Sequence, residues 1–559
     1  MKSAKRSECL EWALVAGLGA VICLAGTGRR VNPFDEGLVV VASERVLNGE
    51  LPFRDFFPLY PPGQYYAVAA LFGLFGPAII TVRLYCVAVR TLIALLIYLS
   101  TRKLAGRMPA AACWGAGVLW LASYKAYGYP TFPALLLVLL SLVILASCVD
   151  EASTDGRRSN VRLGLAGGAL GAAALFRHDL GAYGLLASLP SLVALMLRPT
   201  SGAAGASRRR SVEAARRGSP YFAGLICAFG VPAAWFLTRV PIREVIFALF
   251  TYPSTMYIAT RRLPFPPLFL YPFTRGVLGS TRMLLKNFHN LAFYSPLLFY
   301  SLGLVRVAAQ IRRRGREGFR DPDILRFAGI VLFGAMAYNL GRVRMDALHG
   351  IATVVPSYVV AMVLVKKAVE GSDPWRRVAA AGLTGVVLLS LTAPAASMPH
   401  PSLDGLRSAL GAYPTRAGCL DAGPARHEAA VYLRSVVPPG GRIFVGCSRH
   451  DLVFINETII YFLAERLPGS RYHSLDPGIT TTLEAQREIV AGLVRYRVEF
   501  IALSSEFENS GEANLSSVSS GVTFLDDYIH SHYQAERRFG PFITIWKRSA
   551  GWERGDGHG

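Results

Sequence analysis

NPFDEGLVV, residues 32–40, sets two adjacent carboxylates, Asp35 and Glu36, just beyond an apolar run from Leu10 to Ala25. A second apolar patch follows at once. Ionised groups at the edge of a hydrocarbon layer are costly unless they pair or face water. The placement asks what the rest of the chain is, and what two acids do there.

The composition answers the first part. Of 559 residues, 52% are hydrophobic and 17% charged, against about 25% charged in an ordinary soluble domain. Long stretches hold almost no charge. Runs of about 18 to 20 apolar residues match a hydrocarbon core of roughly 30 Å. Inside lipid every backbone group must be satisfied internally, so the expected fold is a polytopic α-helical membrane protein. The net charge of +22 does not point to nucleic acid, because the arginines cluster in short loops between apolar runs, as the positive-inside rule expects.

Eleven spans are expected, at about 10–27, 79–100, 108–124, 131–149, 161–176, 180–197, 219–238, 291–308, 324–341, 349–366 and 377–395. The first is read as an uncleaved helix rather than a signal peptide, because many spans follow it. The loop 28–78 contains PPGQYYAVAALFGLFG, apolar but short, which suits a re-entrant or interfacial helix. The Ala/Gly/Ser/Arg-rich loop 198–218 is expected to be disordered, and 239–290 to be a long mixed loop. A cytoplasmic N-terminus puts MKSAKR, TRKLAGR, the loops 150–162, 198–218 and 309–323, and KKAVEGSDPWRR on the cytoplasmic side.

Residues 396–559 are polar by contrast and read as a soluble α/β domain on the outer side. RIFVG (442–446), EFIALSS (499–505) and the closing FITIWKR read as strands, while HEAAVYLRSVV, TLEAQREIVAGLVRYR and FLDDYIHSHY read as amphipathic helices. The eight cysteines form no CxxC pair, which leaves a zinc site little support. Cys419 and Cys447 sit in this polar part and could pair if it faces an oxidising compartment.

The orientation gathers Asp35, Glu36, Arg54, Asp55, Lys125, Arg177, His178, Asp179, Arg344, Asp346 and His349 on one membrane face, from four loops. Acids and cations converging there look like a site. Each has a plainer alternative. Asp35 suits a cap on a helix over 36–48, Arg54 and Asp55 a surface ion pair, and Asp179 a cap on the sixth span. Asp346 and His349 suit an interfacial anchor, sharing a face if the tenth span starts there. Lys125 sits among Tyr124, Tyr127 and Tyr129, which serve either as interfacial anchors or as faces for sugar rings.

The ordered set in the first loop is DEG, LNGELPFRDF, YPPGQYY, LFG and an Arg-Leu pair. It resembles the membrane-embedded GT-C glycosyltransferases, and among them the protein O-mannosyltransferase and lipid A aminoarabinose transferase group. The likeness covers residues 30 to about 85. FRHDLG and Arg344-x-Asp346-x-x-His349 extend it weakly. The resemblance implies a sugar donor linked to polyprenyl phosphate and inverting transfer to a hydroxyl of a glycan, lipid or protein acceptor on the outer face. Asp35 would be the general base, with Glu36 beside it. The leaving lipid phosphate calls for cations, and Arg177, His178, Arg344 and His349 are named for that by their chemistry. Arg54, Asp55, Lys125, Asp179 and Asp346 complete the expected donor contacts. Many relatives carry a further acid between the third and fourth spans, where this chain has Lys125 and no Asp or Glu.

No cofactor is required by these residues, and Asp346 with His349 supplies only two of the ligands a metal needs. A bacterial inner or plasma membrane is expected, because no retrieval signal ends the chain. Two rival readings remain. A transporter or flippase of a lipid-linked sugar would show repeats and ionisable groups near the midplane. A non-catalytic envelope assembly protein would not need the DE and PPG elements in one loop.

Overall fold

Runs of Leu, Val, Ala and Ile long enough to span lipid must close their backbone hydrogen bonds within one segment. The structure, a computed structural model, describes residues 2–123, 127–150, 156–197, 207–268, 277–346, 348–371, 373–391, 416–418 and 420–549. The chain opens with α1 (Lys2–Ala25), α2 (Asp35–Leu47), α3 (Gly63–Phe75), α4 (Ile79–Ala105) and α5 (Arg107–Ser123). Then come α6 (Thr131–Asp150), α7 (Gly156–Phe176), α8 (His178–Met196), α9 (Ser207–Leu225) and α10 (Val231–Leu237). Short helices α11 (Ile242–Ile246), α12 (Tyr252–Ser254) and α13 (Met256–Arg261) precede the long α14 (Val277–Arg314). α15 (Pro322–Ala337), α16 (Ile351–Val369) and α17 (Pro374–Ser390) complete the helical body.

Among the described residues eight helices are long and apolar enough to cross a membrane, within Arg6–Ala25, Ile79–Ala105, Thr131–Asp150, His178–Met196, Ser211–Leu237, Asn290–Arg314, Pro322–Arg342 and Ile351–Val369. The chain is an integral membrane protein. Helices also stand at the other three expected positions, but they do not reach that length and apolarity. α5 and α17 have 17 residues each, and α7 opens on the polar GRRSNVR. Two loop expectations are corrected. The basic stretch from Ser207 is helical, Ala and Arg being strong helix formers. The 239–290 segment carries α11 to α13, and α14 begins well before residue 291.

The C-terminal unit is a five-stranded sheet. Its strands are β1 (Arg442–Cys447), β2 (Leu467–Pro468), β3 (Phe500–Ser504), β4 (Tyr533–Phe539) and β5 (Ile543–Arg548), in the order β2-β1-β3-β5-β4. β1 runs parallel to β2 and β3, and β5 antiparallel to β3 and β4. Helices α18 (Pro424–Val436), α19 (Ile459–Ala464), α20 (Leu483–Arg495) and α21 (Phe524–His532) accompany it. β4 escaped the sequence reading because YQAERRF is an edge strand buried only at its two ends.

The first loop is where the two units meet. Arg45, 2% exposed, donates to Glu50 at 2.5 Å and to the backbone oxygens of Ser470 and Asp55 at 2.9 Å each. Glu50 also accepts from Arg442 at 2.6 Å. Thr458 Oγ1 donates toward the Pro33 and Phe34 carbonyls at 3.0 Å, and the Ile459 N–H to Pro33 at 2.9 Å. Two glycines of the loop are required by close approach. A Cβ on Gly37 would stand 2.2 Å from Thr458 Oγ1, and one on Gly63 would stand 2.6 Å from the Leu175 oxygen.

Arg83 on α4 ties the loop to the helical body. Its Nε and Nη2 meet Glu36 Oε1 and Oε2 at 2.8 and 2.9 Å, and it donates to the Gly28 and Arg30 carbonyls at 2.9 Å each. Both side chains are nearly inaccessible, at 2% and 3% exposure. Arg83→Leu would leave Glu36 charged, buried and without its cation, at a cost of about 3–5 kcal/mol. We expect a clearly lowered unfolding temperature in detergent, and an unchanged one would show that the pair does not hold the loop.

Candidate active site

Asp35 opens α2, but it is not the helix cap expected from sequence. Asn32 Oδ1 takes the Phe34 and Asp35 N–H groups at 3.0 and 2.7 Å, an Asx turn that does the capping instead. Asn32 Nδ2 in return donates to Asp35 Oδ2 at 3.0 Å. No cation pairs with Asp35 among the described residues. Burial pushes its carboxyl above the usual range, and the neighbouring Glu36 charge adds to that. Glu36 points the other way, into Arg83, and its Oε2 also accepts the Asn32 N–H at 2.7 Å.

Asp35 lines a cavity of about 530 Å³ between the helical body and the C-terminal unit. Arg177, His178 and Asp179 line it from the junction of α7 and α8, and Arg344, Asp346 and His349 from the segment before α16. Seven of the residues expected from sequence therefore share one space. Tyr60, Tyr127, Tyr129 and Tyr257 supply its aromatic faces. Tyr60 and Tyr129 meet edge-on at 5.5 Å, and the Arg177 guanidinium lies 5.8 Å from the Tyr60 ring centre. Tyrosine bodies of this kind offer stacking area with a polar tip.

The charges are partly matched. Arg177 forks onto Asp179 at 3.0 and 2.5 Å, and Asp179 also takes its own helix's Leu180 N–H. Arg344 donates to Asp346 at 2.8 Å and bidentately to Glu512 at 2.8 and 2.5 Å. Asp346 and His349 do not share a helix face, since α16 starts only at Ile351. They sit in the turn before it, where Asp346 Oδ1 takes the Leu348 and His349 N–H groups and contacts His349 Nδ1 at 2.7 Å. Burial alone would raise the Asp346 carboxyl, but His349 and Arg344 hold it well below the ordinary range. Among the described residues no three His, Cys, Asp or Glu side chains come together as a metal would need.

Two expected contacts lie elsewhere. Arg54 and Asp55 pair with each other at 2.7 Å at the surface and do not line the cavity, where Asp55 instead fastens a turn through the Leu51 N–H. Their adjacency makes the local fork the easiest contact for both. Lys125 lies outside the described residues, as does Cys419, while Cys447 is a buried thiol.

The sequence reading missed three groups that border the cavity: Arg261 at the end of α13, and Asp476 and Glu512 of the C-terminal unit. Arg261 is 9% exposed, and its Nε and Nη1 have no hydrogen-bond partner; Glu512 stands 3.7 Å away. Nothing in their local sequence marks these residues, because only the tertiary fold brings them to the first loop.

No protein-family model matches the chain, and no curated protein sequence does. Among solved structures, the oligosaccharyltransferase of Archaeoglobus fulgidus, tethered to an acceptor peptide, superposes with a TM-score of 0.51 at 12% identity, covering 97% of this chain and 74% of its own. ArnT from Cupriavidus metallidurans, bound to undecaprenyl phosphate, gives 0.48 at 13% identity over 98% of each chain. The arabinofuranosyltransferase AftD from mycobacteria gives 0.45 at 14% identity, over 96% of this chain and 40% of that one. The likeness to the Archaeoglobus protein establishes the fold, and at that identity the fold alone. It is the GT-C fold that the first loop resembled.

The two acids behave differently enough to be told apart chemically. A hydrophobic carbodiimide attacks protonated carboxyls. Asp35 should label at a mildly acidic pH above the ordinary carboxylate value of about 4, and Asp346 should not, as read by peptide mass spectrometry. Equal labelling of the two would contradict the environments described.

Proposed function

We propose that the chain is a glycosyltransferase that moves a sugar from a polyprenyl-phosphate carrier to an acceptor hydroxyl on the extracytoplasmic face. The observation that supports this most is Asp35, a carboxylate with no paired cation among the described residues, in the wall of a cavity otherwise rich in arginine. In this reading residues 1–395 form the membrane transferase, with its N-terminus in the cytoplasm and its first outer loop at 28–78. Residues 396–559 lie outside.

Ionised Asp35 takes the proton of the acceptor hydroxyl as that oxygen attacks the anomeric carbon. The bond from this carbon to the phosphate oxygen breaks, and its electron pair leaves with the lipid phosphate. One displacement inverts the carbon through an oxocarbenium-like transition state. Charge grows on the leaving phosphate, where fixed cations act most strongly. Arg261 borders this space with a guanidinium short of hydrogen-bond acceptors, and it meets that charge. Arg177 and Arg344 border the same space with carboxylates already in their forks. Glu36 acts through Asn32 and Arg83 as a positioning group for the base. The cavity tyrosines offer flat faces to a sugar ring.

Transfer from radiolabelled polyprenyl-phosphate sugars by the purified protein in nanodiscs tests this. Asp35→Asn should lose transfer by at least a hundredfold, in the range of a lost general base, while donor binding stays. Because the Asp35 carboxyl sits above its usual range, wild-type transfer should fall as pH drops through that raised value, leaving an acid limb above about pH 4. Equal transfer by wild type and variant would refute Asp35 as base.

A further inference from the structure

Another acid of the cavity, Asp476, comes from the C-terminal unit, and Arg261 from α13 lines the same space. We propose that Asp476, together with Arg261, binds hydroxyls of the donor's sugar and so sets which sugar is transferred. The proposal rests on the glycosyltransferase reading above.

Asp476 is 3% exposed. An ionised carboxylate offers about four acceptor positions, yet among the described residues the one hydrogen bond to this side chain is from Ser474 Oγ, at 3.3 Å. No ion pair reaches it there. A buried carboxylate left so bare is expensive, unless something else completes it. The ordinary structural role, capping a turn with the side chain, is already taken. In the DPGIT turn the Ile479 and Thr480 N–H groups go to the Asp476 backbone oxygen, and the Gly478 N–H goes to Thr481 Oγ1.

Arg261 has the complementary deficit, two guanidinium nitrogens without acceptors at 9% exposure. The two segments are fastened together. Thr260 Oγ1 donates to the Pro477 oxygen at 3.3 Å, and Gly478, at φ +87°, packs on the Thr260 side chain. An unpaired carboxylate and a guanidinium whose one ion-pair partner among the described residues, Glu512, stands 3.7 Å away line one cavity, and together they suit vicinal hydroxyls, which donate to one and accept from the other. Tyr252 and Tyr257, which meet edge-on at 6.0 Å, line the same wall and suit the C–H face of a ring. With Arg261 also reaching the phosphate, the sugar attached to that phosphate lies next to Asp476.

The test compares binding of two kinds of probe to the full-length protein in nanodiscs. One is undecaprenyl phosphate without sugar. The other is a panel of undecaprenyl-phosphate sugars containing a pentose, a hexose and an amino sugar. Asp476→Asn keeps the shape of the side chain. It should weaken the preferred sugar lipid by about tenfold or more, as for a lost charged hydrogen bond, while the sugar-free lipid binds within about twofold of wild type. Asp476→Glu keeps the charge with a longer reach and should change the ranking of the sugars. Equal loss for both probes would make Asp476 a structural residue, and no loss for either would remove it from the site. If wild type binds the sugar-free lipid but prefers no sugar lipid, this assignment alone fails. If it binds neither kind, the glycosyltransferase reading fails with it.

Discussion

The buried fork between Arg83 and Glu36 is the constraint on which the rest depends. A buried ion pair is weak evidence for stability, since apolar residues of the same volume often do as well. Its value here is directional. Arg83 consumes Glu36 and, with its remaining N–H groups, the carbonyls of Gly28 and Arg30. The chain between α1 and α2 is thereby fixed on the head of α4. Glu36 in turn holds the Asn32 N–H, and Asn32 holds Asp35. One acid of the pair is committed to architecture so that its neighbour can face the cavity without a cation.

The C-terminal unit is part of the same construction. Thr458 and Ile459 grip Pro33 and Phe34 from the far side, Asp421 exchanges backbone hydrogen bonds with Arg29 and Val31, and Arg442 shares Glu50 with Arg45. The approach is so close that Gly37 has no room for a side chain. The C-terminal unit both braces the loop and contributes Asp476 and Glu512 to the cavity. The arrangement gives physical content to the short motif elements. The glycines of DEG and PPG are contact points, LNGELPFRDF carries the Glu50 and Asp55 partners of Arg45, and the later Arg is the clamp.

What was legible in the sequence follows periodicity and local adjacency. The apolar runs marked the helices, and the strands RIFVG, EFIALSS and FITIWKR appeared as β1, β3 and β5 because their burial is continuous or alternating. Arg177–Asp179 and Arg344–His349 were visible as ionisable clusters between apolar runs, and the cavity does collect them. What was hidden depended on distant chain. Arg261 sits in a stretch that reads as loop, and Asp476 and Glu512 sit in polar segments with no periodic signal. The Asn32 turn was hidden for another reason, since an acid at a helix start looks like a cap until the residue three before it takes the N–H groups. Arg54 and Asp55 looked like site residues by composition and are satisfied by each other.

The central claim is that the cavity lined by Asp35 receives a lipid phosphate beside Arg261, Arg177 and Arg344. A cryo-electron microscopy map of the protein in nanodiscs with undecaprenyl phosphate tests it most directly. The account predicts phosphate density inside the cavity, within hydrogen-bond distance of Arg261, with Asp35 still turned away from Arg83 and open to the remaining space. Phosphate bound outside that cavity, or Asp35 engaged by a cation when the lipid is bound, would contradict it.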